Sequence, residues 1–384
     1  MRISHALKCR LLSGLVVSSL FWAGCQLLGP HNSPTAGGQP TQEPSTPQAT
    51  TVAPEGQTQF GDRPEADGGG YENRLLTNMT QHTFSTIGRD FDPDLLADGS
   101  LMVFASTRNS EHPDIFLKRV DGYALTQLTS DPADDIQPRF NPAGDKVVFC
   151  SNRSGNWDIW VINLDGTELT QLTHDPADEV APCFSPDGQR VAFSTWGRRS
   201  GQWEIWVLSM DRPGVRRFLC YGMFPDYSPD GQRIAFQRAR QRGTRWFSVW
   251  SVELVGDEAR HPTELAFSDS AACIAPRWTP DGDGIVYCAI QQSDGQPDSE
   301  QRCADVWMLD TRSGTHLKIT DGAADAFNPT CSRTGRVYFV SARSGVENIW
   351  SLKTGLGEYP VSRRDSGEPG LSPTDDKAGE SVGK

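Results

Sequence analysis

The chain has 384 residues and a formal net charge of −13, from 36 Lys and Arg against 49 Asp and Glu. That balance argues against nucleic acid as a partner, because such binding rests on Lys and Arg neutralising phosphates. It carries nine cysteines but no CxxC pair, which removes the usual structural zinc signature.

In chain order, the first feature is a leader. Arg2, Lys8 and Arg10 form a basic start, Leu11 to Trp22 is mostly apolar, and Ala23-Gly24 precede Cys25. This is the layout of a secretory signal over 1–24, and the apolar run is shorter than the ~20 residues of a spanning helix. A cysteine directly after the small pair resembles the lipobox of bacterial lipoproteins. The resemblance implies that Cys25 becomes a lipidated first residue, so the expected membrane contact is through that anchor only. Gln26 stands where an Asp would signal inner-membrane retention, and the expectation leans to the outer membrane. Residues 25–70 are rich in Pro, Gly, Gln, Thr and Ser and read as a linker unable to offset its ordering entropy, with an r.m.s. reach of roughly 35–40 Å. Residues 363–384 read as a polar tail. Setting aside Cys9 and Cys25, seven cysteines remain in the body. An odd number argues against a complete disulfide framework; a Cys288–Cys303 bridge stays open.

The body, 71–362, repeats itself. Gly99, Gly144, Gly188, Gly231, Gly282 and Gly335 end six equivalent turns, separated by 45, 44, 43, 51 and 53 residues. Such a period built of short strands predicts an all-β, six-bladed propeller of four-stranded antiparallel blades. Ser185-Pro186-Asp187-Gly188 suits a type I turn. The second strands, such as Val191-Ala192-Phe193, are apolar on both faces, as a sheet packed between two others requires. Third strands carry Asp158-Ile159-Trp160 and its copies, whose rings are most simply inter-blade packing. Fourth strands include Leu125-Thr126-Gln127-Leu128-Thr129, Leu317-Lys318-Ile319-Thr320 and Tyr359-Pro360-Val361-Ser362. Met79-Thr80-Gln81-His82-Thr83 looks like one more fourth strand, placed before the first repeat. The segment around 73–84 is therefore expected to pair with the last blade and close the ring.

The Pro-x-aromatic-Ser-Pro-Asp-Gly phrase at 182–188, its relative at 225–231, the Ile-Trp strands and the Gln-Leu-Thr segments at 127–129 and 171–173 resemble the propeller of the TolB family, the periplasmic component of the Tol–Pal envelope system. The resemblance spans about 79–362. TolB also has a separate amino-terminal domain, and here the linker is expected to occupy that place. The resemblance implies an envelope protein or peptide as partner, with a peptidoglycan-associated lipoprotein as one candidate.

Strand order places the inter-blade loops and the loops between second and third strands on one face. Three inter-blade loops there are acidic, and Asp90, Asp134, Asp135, Asp178, Glu179 and Asp325 are expected to form a negative mouth able to hold a cation or a basic group. The competing reading is local: Asp-Pro-Ala-Asp is good turn material, and Arg108, Arg153 and Arg343 recur in Ser-x-Arg on the same face as built-in partners. A basic arc is expected from Arg198, Arg199, Arg240 and Arg242, bordered by Trp203 and Trp246, because Arg and aromatic residues anchor interfaces. Asp90, Asp92 and Asp94 do not form a calcium loop, since the sixth and twelfth positions are Leu95 and Leu101.

The one Gly-x-Ser-x-Gly match, Gly379–Gly383, falls in the polar tail with no strand or helix pattern around it, and no HExxH occurs, so the enzyme signatures that accompany propellers lack their expected context. The reading is a monomeric, non-catalytic binding propeller of the cell envelope, needing no cofactor. Two alternatives stay open: a lyase or glycosidase acting in the channel through scattered carboxylates, and a carbohydrate-binding propeller.

Overall fold

The computed structural model describes residues 79–240, 246–256, 258–291 and 304–354. The expectations for the leader, Cys25, the linker, Arg242, Cys303, Tyr359–Ser362 and the tail lie outside the described residues. Chain order begins with β1 (Thr80–Gln81). Blade one is β2 (Asp90–Leu95), β3 (Leu101–Ser106), β4 (Asp114–Arg119) and β5 (Leu125–Gln127). Blade two is β6 (Asp135–Phe140), β7 (Lys146–Ser151), β8 (Asp158–Asn163) and β9 (Thr170–Gln171). Blade three is β10 (Glu179–Phe184), β11 (Arg190–Gly197), β12 (Gln202–Ser209) and β13 (Arg216–Tyr221). Blade four is β14 (Met223–Tyr227), β15 (Arg233–Ala239), β16 (Phe247–Val255) and β17 (Glu258–Ala266). Blade five is β18 (Ala271–Trp278), β19 (Gly284–Gln291), β20 (Ala304–Asp310) and β21 (His316–Lys318). Blade six is β22 (Phe327–Cys331), β23 (Arg336–Ser341) and β24 (Asn348–Lys353), with β1 as its fourth strand. This is the six-bladed, four-stranded propeller that the repeat predicts.

The repeated phrase has a mechanical meaning. The six turn glycines sit at φ of 71–77°, a conformation that glycine adopts without steric cost. The second strands are the core: Phe104, Phe149, Phe193 and Phe339 are fully buried between neighbouring sheets. The third and fourth strands are locked by one threonine. Thr129 Oγ1 accepts the Ile115 N–H (3.0 Å) and donates to Asp114 (3.2 Å), and Thr320 does the same for Val306 and Asp305. The ring-bearing residue of the third strand, Trp160 or Trp350, is half-buried with an arginine over its face, Arg153 at 5.1 Å and Arg343 at 5.8 Å.

Closure repeats this lock with residues from opposite ends of the body. Thr80 and Gln81 pair with Ser351 and Trp350. Thr83 then accepts the Ile349 N–H (2.9 Å) and donates to Asn348 (3.1 Å), as Thr129 does within blade one. The adjoining buried His82 bonds Ser351 through Nε2 (2.7 Å), and burial lowers its pKa to about 4. In blade six the fourth-strand position is filled by β1.

Candidate functional site

Each innermost strand holds the same distortion. Asp92, Gln137, Ala181, Phe224, Ala275 and Asn328 all have φ of 50–56°, and each precedes a proline. Each sits in a β-bulge, marked by a register shift in all six first-to-second strand pairs. A bulge frees backbone N–H groups from the ladder, and buried ones need partners. The preceding blade supplies several of them. Ala181 N–H donates to Gln137 Oε1 (2.8 Å), Phe224 N–H to Ser194 Oγ (2.9 Å), and Ala275 N–H to Gln237 Oε1 (2.7 Å). Gln137 N–H donates to Asp92 (3.2 Å). The bulges thus tie blade to blade around the axis.

These six dipeptides, with Arg139 and Arg277, line a central cavity of about 70 Å³, room for a handful of waters. Its one lining carboxylate, Asp92, is half-buried and accepts the Asn328 amide at 2.5 Å. Burial pushes the Asp92 carboxyl up to about 6, against the pull of the Gln137 N–H, Arg89 and Asn328. One step further along the strands, four charges cross the axis. Arg139 contacts Asp94 (3.3 Å) and Asp226 (2.5 Å); Arg277 contacts Asp226 (3.2 Å) and also Asp94. The second oxygen of each aspartate takes a backbone N–H from the next blade: Phe140 to Asp94 (2.9 Å) and Trp278 to Asp226 (2.7 Å). Burial alone would lower the Arg139 pKa, yet Asp226 and Asp94 raise it above its ordinary value. Blades one, two, four and five are therefore braced by a neutral ring of two arginines and two aspartates. Sequence reading missed this ring and the strained dipeptides. The available signal was the residue before each repeated proline and the charge after it.

The expected mouth residues divide into two groups. Asp90, Asp135 and Glu179 are fully buried. Arg108 grips both oxygens of Asp90 (2.7 Å), and Arg153 both oxygens of Asp135 (2.7 and 2.9 Å). Blade three lacks Ser-x-Arg, and Glu179 is met instead by Arg216 of β13 (2.8 Å). Burial pushes Glu179 up to about 7, outweighing Thr173 and Arg216. Arg343 bonds Asp321 (3.1 Å), not Asp325. Asp325 and Asp178 are exposed, each accepting one backbone N–H, from Ala304 (2.9 Å) and Trp157 (3.1 Å). Asp134 is half-buried between His112 (2.7 Å) and Asn152. On the basic arc, Arg240 pairs with Asp269 (3.0 Å) and Glu264 (3.4 Å), and Trp246 is half-buried against the Ala272–Ile274–Cys288 cluster. Arg198 and Arg199 are exposed.

Residues 109–296 match the family model described as the TolB beta propeller domain. The chain carries a TolB-like propeller. A TolB homologue of Chlorobium luteolum is 32% identical over 84 residues, 21% of this chain and 19% of the relative. The chain spans about a fifth of the length of the curated relatives it matches. Among solved structures, a putative TolB from Agrobacterium tumefaciens superposes with a TM-score of 0.53 at 18% identity, covering 74% of this chain and 98% of that one. An oligogalacturonate lyase from Vibrio parahaemolyticus gives a TM-score of 0.50 at 13% identity, covering 72% and 93%. At these identities the structural likeness shows the fold alone.

Proposed function

We propose that this TolB-like propeller is a non-catalytic binding protein of the bacterial cell envelope, anchored through lipidated Cys25, that holds a protein or peptide against the face bearing the inter-blade loops. The observation that carries the reading is the character of that face. The channel cavity offers one carboxylate, already hydrogen-bonded, beside two arginines, and the brace beyond it is charge-neutral. The rim around it exposes groups of both signs, Asp178 and Asp325 against Arg198 and Arg199. A broad rim of mixed charge suits a macromolecular contact, where complementary charges set specificity and encounter rate. The TolB resemblance makes a peptidoglycan-associated lipoprotein the first partner to try.

The test is site-directed crosslinking from the rim to that lipoprotein, comparing the native protein with Asp178→Arg/Asp325→Arg. Both positions are exposed, and each reversal removes only one hydrogen bond to a backbone N–H, whereas Asp135 and Glu179 are interior and unsuited to the purpose. Crosslinks that the double reversal weakens support the reading, and the same crosslinks at unchanged yield defeat the rim assignment. A second reading, a channel lyase or glycosidase, draws on Asp92, whose carboxyl at about 6 is poised to exchange a proton near neutral pH. Turnover of oligogalacturonate by purified protein, lost in Asp92→Asn, would establish it in place of the first.

A further inference from the structure

The loop-bearing face is uneven. In blades one, two and six the second and third strands are six residues each. In blade three, β11 and β12 have eight residues each, comparable to their counterparts in blades four and five, which extends their hairpin beyond those of blades one, two and six. The extension ends in a built structure. Trp196 and Trp203 lie directly opposite in register, with ring centroids 5.7 Å apart and planes at 79°. Such a cross-strand aromatic pair stiffens a hairpin. Gly201 closes the tip, its N–H donating to Gly197 O (2.8 Å), at φ of 62°. Ser200 donates to Glu204 Oε1 (2.6 Å), and the other Glu204 oxygen accepts the Trp206 indole (2.9 Å). A Cβ at Gly197 would stand 2.1 Å from Glu204 Oε1, so a larger residue there would displace that carboxylate.

Arg198 and Arg199 cap this rigid stem. Both are exposed, and neither forms an ion pair among the described residues. Arg198 donates only to the Pro176 carbonyl (3.2 Å), which fixes its direction without neutralising it. Glu204 is occupied within its own hairpin, Asp175 by Arg216, and Asp178 accepts the Trp157 N–H. On the same face the recurring arginines Arg108, Arg153 and Arg343 are all paired. Two exposed guanidinium groups thus stand on a stiffened support in a chain of net charge −13.

We infer that the Trp196–Trp203 hairpin is a cationic docking finger for an acidic segment of a protein partner. The inference rests on the envelope-binding reading and specifies its partner chemistry. Guanidinium forks match carboxylates two bonds at a time, and a preordered support lowers the entropy lost on binding. A flat anionic membrane is disfavoured as the occupant. A plane laid on this face would meet exposed Asp178 and Asp325 as well as the finger, whereas a narrow acidic strand can reach the tip alone.

The test uses the whole protein and a labelled glutamate-rich decapeptide, with anionic phosphatidylglycerol vesicles in a parallel arm. The peptide should bind in low salt and weaken as salt rises. Arg198→Glu/Arg199→Glu should lower its affinity at least about tenfold, the worth of one charged contact, while Arg198→Lys/Arg199→Lys loses less. Absence of peptide binding, or binding that the reversal leaves unchanged, overturns the inference. Arginine-dependent binding to vesicles but not to peptide overturns the partner class in favour of a lipid surface. If the lipoprotein crosslinks persist in the reversed variant, the envelope reading stands and the finger alone is lost.

Discussion

Blades one and two meet the rim with short turns and acidic residues that the repeat itself supplies with arginines. Blade three meets it with a long hairpin, a Glu179 that recruits Arg216 from the outermost strand, and two arginines left over. The first arrangement is structural. Asp90 and Asp135 have no side-chain exposure, and the Ser-x-Arg arginine that serves each of them also covers a ring of the blade. The second arrangement spends residues on the surface. Where the copies agree, the residues serve the fold; blade three departs both inside, where Arg216 replaces the missing Ser-x-Arg arginine, and outside, where Arg198 and Arg199 are left to the surface.

The comparison breaks most decisively at Arg153. Arg153→Ala leaves Asp135 charged, interior and unpaired, and should cost about 3–5 kcal/mol, read from urea unfolding. Arg198→Ala should change stability by no more than about 0.5 kcal/mol. Equal losses would mean that both arcs are structural. Thr83→Val comes next. It orphans the Ile349 N–H at the closing strand and should cost about 1–3 kcal/mol, with hydrogen exchange accelerating at Ile349 before the other blades. Uniform acceleration around the ring would show that closure is not a separate unit.

The smallest effect concerns pH. The Glu179 carboxyl is raised from 4.5 to about 7. Below the ordinary carboxylate range both the folded and the unfolded chain hold this proton. Between that range and about 7 the unfolded chain releases it while the fold retains it, so stability falls as pH rises through the window and levels off above it. Glu179→Gln should remove this part of the slope, seen as a flatter dependence of the urea midpoint on pH. An unchanged slope would mean that Arg216 keeps Glu179 ionised in the fold.

The blade count, the strand phrase and the closing segment were legible because each is a local pattern repeated in the chain. Gln81-His82-Thr83 could be matched to Gln127-Leu128-Thr129 without any knowledge of distance. The cross-axis ring was not legible. Asp94, Arg139, Asp226 and Arg277 come from four different blades, and only the closed toroid sets them face to face. The substitution of Arg216 for the missing Ser-x-Arg arginine was hidden for a similar reason: it arrives from another strand, outside the repeated phrase. The strained dipeptides were hidden differently. Their prolines were visible, but the residue before each varies from Asp to Phe, so the shared backbone geometry left no shared side chain.

The closing strand has a consequence for tension. Any pull transmitted along the chain ahead of Met79 reaches first the two residues that complete blade six, held by their register with Ser351 and Trp350 and by the Thr83 hydroxyl. The toroid would therefore unlatch at that outer edge before any of its inner strands felt the force. A propeller restrained from this side carries its own mechanical fuse.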